Sequence, residues 1–291
     1  MKNKLKTMEV VVHGIFLALG LITVAAVMLI SVYLIISGIP AIKEIGFFKF
    51  MFGKEWLPTV SEPKFGILPF ILTSVYGTAG AILLGTPIGF FTAVYLAKIA
   101  SPKVKRVVSA AVSLLAGIPS VVYGLVGMLV LVPAIREAFN IPDGASLLAA
   151  VIVLSVMVLP SIIKVSLTAL EAVPKEFEEG SLALGATPIE TYFRVSVPAA
   201  KSGIAAAIVL GVGRAIGEAM AVIMVSGNVA NMPSLFESVR FLTTAVSSEM
   251  SYASEGSLHQ QALFSIALVL FVFIMLINAT LNFFLKRQKE E

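Results

Sequence analysis

Apolar residues run in long blocks along this chain, separated by shorter polar intervals. A membrane-crossing helix needs about 20 apolar residues. Six stretches reach that length, at about 11–37, 67–97, 108–133, 146–170, 201–226 and 260–285. Glycine and proline punctuate several of them: Gly85, Pro87 and Gly89 in the second, Gly117-Ile118-Pro119 in the third, Pro160 in the fourth. The pattern predicts an all-α membrane protein with six transmembrane helices. The uncharged run from Val10 to Ile42 is much longer than the roughly 7–15 apolar residues of a signal peptide, so the first stretch is read as an uncleaved helix.

Composition agrees with this pattern. Hydrophobic residues make up 58% of the 291 positions and charged ones 13%, about half the charged share of a soluble domain. With no cysteine, two histidines and one aspartate, disulfides, thiolate metal sites and a buried multi-ligand metal centre are not expected. Charge placement sets orientation, because cytoplasmic loops carry the excess of Lys and Arg. With the N-terminus inside, 14 of the 21 basic residues fall on the cytoplasmic side and six outside, with Arg214 left in the membrane. Both termini are therefore expected in the cytoplasm. The outer segment 38–66 sets Phe47, Phe48, Phe50, Phe52 and Trp56 among lysines, a composition suited to a short helix or turn in the headgroup layer. Segment 227–259 is expected outside as a short helical or re-entrant piece mixed with loop.

Residues 171–200, EAVPKEFEEGSLALGATPIETYFRVSVPAA, form a polar interruption with a definite order. Pro174 suits the start of a helix, and Glu176, Glu178 and Glu179 then sit near its positive end. Leu182, Leu184, Gly185 and Ala186 follow, and Pro188 restarts the chain. Two short helices bent at Gly185 are expected, offering a compact cytoplasmic knob with acidic and apolar contacts. A loop that merely packs on its own bundle is the plainer alternative.

The fifth apolar stretch carries Arg214 and Glu218, four residues apart and expected one turn apart on one helix face. Counted from Lys201, Arg214 lies about 20 Å along the axis, near mid-bilayer, where a charge costs at least about 2.5–3.5 kcal/mol. Such residues face the bundle interior or a watery path. The pair reads either as an internal ion pair joining helices or as part of a path for an anion, since a guanidinium fork matches phosphate oxygens. Gly211, Gly213 and Gly217 would admit close helices or a solute. In the third stretch Pro119 weakens the helix, so Ser120 and Tyr123 line a cavity or only a packing kink.

The segment Glu179-Gly180-Ser181, three residues, Gly185, nine residues, Val195-Ser196-Val197-Pro198 resembles the coupling motif of ATP-binding cassette importer permeases. It departs from the family pattern by Gly-Ser for Ala-Ala and valines for Ile and Leu. GIPSVVYG at 117–124, FGILPFILTSVYGT at 65–78 and GVGRAIGEAMAVIMVSGN at 211–228 are similar to the membrane subunits of phosphate-specific importers, PstC type more than PstA. The resemblance covers about residues 65–285. It implies a type I importer permease fold, with residues 1–64 as first helix and outer segment, 65–286 as transmembrane domain including the coupling segment 171–198, and 287–291 as a cytoplasmic tail. It further implies a bacterial or archaeal cytoplasmic membrane, a PstA-like second permease subunit, two PstB-like ATPase subunits and a PstS-like extracytoplasmic phosphate-binding protein. ATP would be bound by the partner, since no Walker A pattern occurs in this chain. By the same resemblance Glu178, Glu179, Leu182, Gly185, Ala186 and Thr187 would couple to the ATPase, and Arg214, Glu218, Ser120 and Tyr123 would line the path. A permease for molybdate, tungstate or sulfate, or an ion-coupled secondary transporter, remain alternative readings.

Overall fold

Helices begin where the sequence can satisfy a helix end. Ser101 and Ser146 have extended backbones, and each accepts a hydrogen bond from the backbone N–H three residues on, of Val104 and Ala149. That removes one of the orphan donors at a helix start. The computed structural model describes the backbone of residues 2–290 and the side chains of residue 9, residues 11–281 and residue 283. Its helices are α1 (Lys2–Ile45), α2 (Phe47–Phe52), α3 (Leu68–Lys98), α4 (Pro102–Gly117), α5 (Ser120–Val126), α6 (Val132–Phe139) and α7 (Leu147–Glu171). Then follow α8 (Lys175–Ala183), α9 (Pro188–Thr191), α10 (Val197–Ala199), α11 (Lys201–Gly217), α12 (Met220–Val225), α13 (Leu242–Glu249) and α14 (Leu258–Glu290). π turns at Gly127–Leu131 and Tyr192–Ser196 join α5 to α6 and α9 to α10.

Among the described residues five helices are long and apolar enough to cross a membrane. A sixth span forms if Pro188–Ala199 and Lys201–Gly217, bent by 70°, count as one. The expected boundaries shift in two places. The third span runs over Ser120–Phe139, not 108–133, because Ile118 is extended (ψ 127°) and Pro119 opens a new helix. The preceding α4 holds Lys103, Lys105 and Arg106, and only Val112 on it is buried. The fifth stretch also does not run unbroken to 226, since α11 ends at Gly217 and α12 begins at Met220. By contrast α3 and α7 pass through Pro87 and Pro160 without a break.

The core is α7, buried along most of its length, with α3 laid against it. The approach is close because α3 presents glycines. A Cβ on Gly80 would meet the Val151 side chain at 2.9 Å, one on Gly85 the Val158 side chain at 2.7 Å, and one on Gly89 the Ile162 side chain at 2.8 Å. In lipid, where apolar surface gains little from leaving its solvent, such backbone proximity supplies the packing. Helix α1 lies outside this body and is attached near its end. The Gly38 carbonyl accepts from Ser265 Oγ at 2.5 Å, and Tyr33 meets Phe264 edge-on.

A cap closes the end opposite α8. Strands β1 (Trp56–Leu57) and β2 (Lys64–Phe65) pair antiparallel. Phe47, Phe48 and Phe52 of α2 are exposed as the headgroup reading expects, whereas Phe50 and Trp56 turn inward. They pack with Phe65, Ile67 and Phe70 against Leu242, Ala245 and the start of α14.

Candidate functional site

The coupling segment folds as two short helices with the bend at Gly185. Pro174 caps α8, Gly185 has φ +90°, a conformation that favours glycine, and Thr187 caps α9. Thr187 and Glu190 form a reciprocal capping box. The backbone and side-chain hydrogen bonds from Thr187 hold the Glu190 carboxyl below its ordinary value. Leu184 is 91% exposed at the tip, and Phe177, Leu182 and Ile189 are exposed beside it. An apolar knob facing away from its own bundle is a surface awaiting a partner. Glu179 is exposed with it, and Ala186 is half-buried.

Glu178 does not join that surface. Its carboxylate turns inward, where Lys98, the last residue of α3, pairs with it and Ser196 Oγ donates to it at 2.8 Å. Lys98 Nζ also donates to the Leu170 carbonyl near the end of α7 at 3.1 Å. One carboxylate therefore ties α8 to α3, α7 and the turn leading into α11. Burial opposes its ionised form, yet the hydrogen bonds from Lys98 and Ser196 and the Lys98 charge outweigh burial, so its pKa falls below the ordinary 4.5. No local sequence signal links Lys98 to Glu178, 80 residues away.

At the middle of the fifth stretch the expected Arg214–Glu218 pair is not formed. The helix ends between them. Glu218 has an extended backbone (ψ 130°), and its Oε1 accepts from Ala221 N at 3.0 Å, closing the start of α12. Arg214 sits in the last turn of α11, a favourable end for a cation. Half-buried, it makes no ion pair or hydrogen bond with any described residue. Its charge acts on the Tyr123 phenol, which donates to the Leu115 carbonyl at 2.8 Å across the α4–α5 break. Ser120, one turn earlier on α5, is half-buried.

The glycines here divide the labour. Gly211 packs on Ile162 of α7, and Gly124 on the Ala221 backbone of α12. A Cβ at Gly117, Gly213 or Gly217 would meet nothing within 4 Å. Two broken helices thus run beside each other with open space, a cation and a phenol at the breaks. Irregular backbone at membrane depth is tolerated where it lines a cavity.

A second charged cluster, which the sequence did not reveal, lies in the cap. Glu249 is 5% exposed, accepts from Trp56 Nε1 at 3.0 Å, and pairs with Arg240 and with His259 Nε2 at 2.8 Å. Arg240 also donates from Nε and its second terminal nitrogen to the Asn228 carbonyl, at 2.9 and 2.7 Å. Nearby, burial and the Glu249 charge raise the Tyr252 phenol above its ordinary value. The four partners come from positions 56, 240, 249 and 259, too far apart for a spacing rule.

Residues 85–290 match the family described as binding-protein-dependent transport system inner membrane component. A probable ABC transporter permease protein, YqgH of Bacillus subtilis, is 42% identical over 268 residues, covering 90% of this chain and 87% of that one. The phosphate transport system permease protein PstC of Haemophilus influenzae is 33% identical over 280 residues, covering 89% and 86%. Among solved structures, the inward-facing MetNI methionine ABC transporter superposes with a TM-score of 0.61 at 21% identity over 76% of this chain and 95% of that one. The bacterial alginate ABC transporter superposes with 0.60 at 17% identity, over 93% and 92%. The chain belongs to the inner membrane components of binding-protein-dependent transport systems, has the fold of an ABC importer permease, and is of PstC type among them.

Proposed function

We propose that this chain provides half of the translocation path for inorganic phosphate in an ATP-driven importer. The observation that carries this reading is Arg214, a half-buried guanidinium without a carboxylate partner among the described residues, set beside open space at a helix break. An arginine at membrane depth needs an anion or water, and its fork fits two oxygens of a tetrahedral oxyanion. Tyr123 and Ser120 add hydroxyls on the facing helix. The Glu218 carboxylate has one oxygen engaged by Ala221 N, and the other can accept a hydrogen bond from a protonated oxyanion. Phosphate carries such a proton near neutral pH and sulfate does not, so Glu218 would favour phosphate. The PstC proteins that are about a third identical to this chain support the same cargo.

The remaining machine follows from the family. A PstA-like subunit completes the path, two PstB-like ATPase subunits bind ATP and receive the α8 knob, and a PstS-like protein delivers phosphate from outside. Both termini lie in the cytoplasm of a bacterial or archaeal cell. Glu179, Leu182, Gly185, Ala186 and Thr187 meet the ATPase, while Glu178 passes the movement inward through Lys98.

Uptake of labelled phosphate by the reconstituted complex, with sulfate and molybdate as competitors, tests the cargo. Phosphate uptake that needs ATP and resists tenfold excess (on the order of one RT ln 10 step) of either competitor supports it. Equal competition by sulfate, or a Glu218→Gln variant with unchanged discrimination, removes the phosphate-specific role.

A further inference from the structure

Helix α13 touches different machinery at its two ends. At its start Thr243 Oγ1 donates to the Glu218 carbonyl at 2.8 Å, the residue where α11 gives way to α12. Leu242 N beside it donates to Ser74 Oγ of α3 at 3.0 Å. At its end stands Glu249, held by Trp56, Arg240 and His259. The six residues between Thr243 and Glu249 span about 9 Å at 1.5 Å each. Leu242 and Ala245 are wholly buried in the cap. The helix is thus a short rod whose one end meets the backbone joint one turn beyond Arg214.

The other end opens on a pocket of about 550 Å³. Its walls include Trp56, Asn228, Arg240, Glu249, Tyr252 and His259. It lies in the cap, at the end of the bundle opposite α8. The lining is rich in hydrogen-bonding groups, which suits a polar protein loop and not an acyl chain. The arrangement is also poised. A carboxylate that is 5% exposed depends on its three donors, and a partly satisfied buried network is costly. An entering group that takes one of those donors must move Glu249, and with it the end of α13.

We infer that this pocket receives a polar loop of the extracytoplasmic binding protein, and that Glu249 and Thr243 are positioning residues that carry its arrival along α13 to the Glu218 joint. The inference rests on the importer reading above. It gives the permease a way to sense a docked partner from outside, separate from the ATPase contact at α8. Neither residue touches the cargo. Glu249 sets the rod's outer end, and Thr243 delivers its displacement to the carbonyl at which the helix changes direction.

The test uses the full complex in lipid nanodiscs, with ATPase activity measured with and without the phosphate-loaded binding protein, and with binding-protein affinity measured alongside. Thr243→Val removes one hydroxyl and keeps the side chain's shape. It should leave basal ATPase activity and affinity for the binding protein unchanged, and lower the stimulation by that protein about tenfold, the size of an ordinary coupling between sites. Glu249→Gln should lower stimulation similarly, and the double variant should lose no more than the worse single, because the two act in series. Full stimulation in Thr243→Val overturns the inference, as does an equal proportional loss of basal and stimulated activity, which marks a merely structural role. If Glu249→Gln does not assemble, Thr243→Val alone decides. A wild-type complex that the binding protein does not stimulate at all would instead remove the importer reading.

Discussion

At the scale of single residues, several positions have only one workable side chain. A Cβ on Gly124 would lie 2.8 Å from the Ala221 Cα, a backbone atom that cannot swing aside. Gly124→Val should therefore destabilise the permease by about 1–3 kcal/mol through overpacking, read as a lower thermal midpoint in detergent. Gly213→Ala makes the contrast. Its Cβ meets nothing within 4 Å, and it should melt within about 0.5 kcal/mol of the parent. The Lys98–Glu178 pair, with side chains 9% and 21% exposed, is another fixed point. Lys98→Met leaves Glu178 with Ser196 alone and should cost about 1–3 kcal/mol, seen as faster amide exchange in α8.

The same carboxylate predicts a pH dependence. The Glu178 pKa is lowered in the folded protein, so its contribution is present above the ordinary 4.5 and is lost as pH falls through the lower folded value. Attachment of α8 should be unchanged between pH 7 and 5 and weaken only below pH 4.5. Loosening of α8 already between pH 7 and 5 would contradict this. These residue-level facts were partly legible. The sequence singled out Arg214 and Glu218 as unusual, but their mutual geometry was not, because it depended on whether the helix continued through Gly217. Two glycines and an alanine around Glu218 permit either outcome, and the Ala221 N–H settles it by capping on the carboxylate.

At the scale of elements, the coupling segment was the most legible part. Pro174, Gly185, Thr187 and Pro188 are local signals that act within a few residues, and each stands where its chemistry predicts. The apolar runs were equally plain as helices. Their ends were less so, since a proline ends one helix at 118 and is absorbed within α3 and α7. What decides between these outcomes is tertiary packing, which periodicity does not carry. The exposed tip of α8 carries its own prediction. Leu184 is 91% exposed and stabilises nothing in this chain, so Leu184→Asp should leave the melting temperature unchanged while abolishing capture of the ATPase subunits from solution. Retained capture would show that α8 is not the ATPase contact.

At the scale of the whole molecule, three polar clusters lie in order along one membrane domain. The Lys98–Glu178–Ser196 knot sits at the α8 end, Arg214 with the two helix breaks in the middle, and the Glu249 cluster in the cap at the far end. Only the middle one could be seen as a charge in an apolar run. The outer two join residues far apart in sequence, such as Trp56 and Glu249 at a separation of 193, and distant pairings leave no spacing to read. The arrangement gives an importer its three needs, which are a contact for the ATPase, a place for the anion and a contact for the delivering protein. The middle cluster carries the cargo argument, so it is where a measurement bears hardest. That measurement is ATP-dependent phosphate uptake by the reconstituted complex with Arg214→Ala. Assembly and ATPase binding should persist while uptake falls to background, and normal uptake by a fully assembled Arg214→Ala complex would contradict an anion path at this residue.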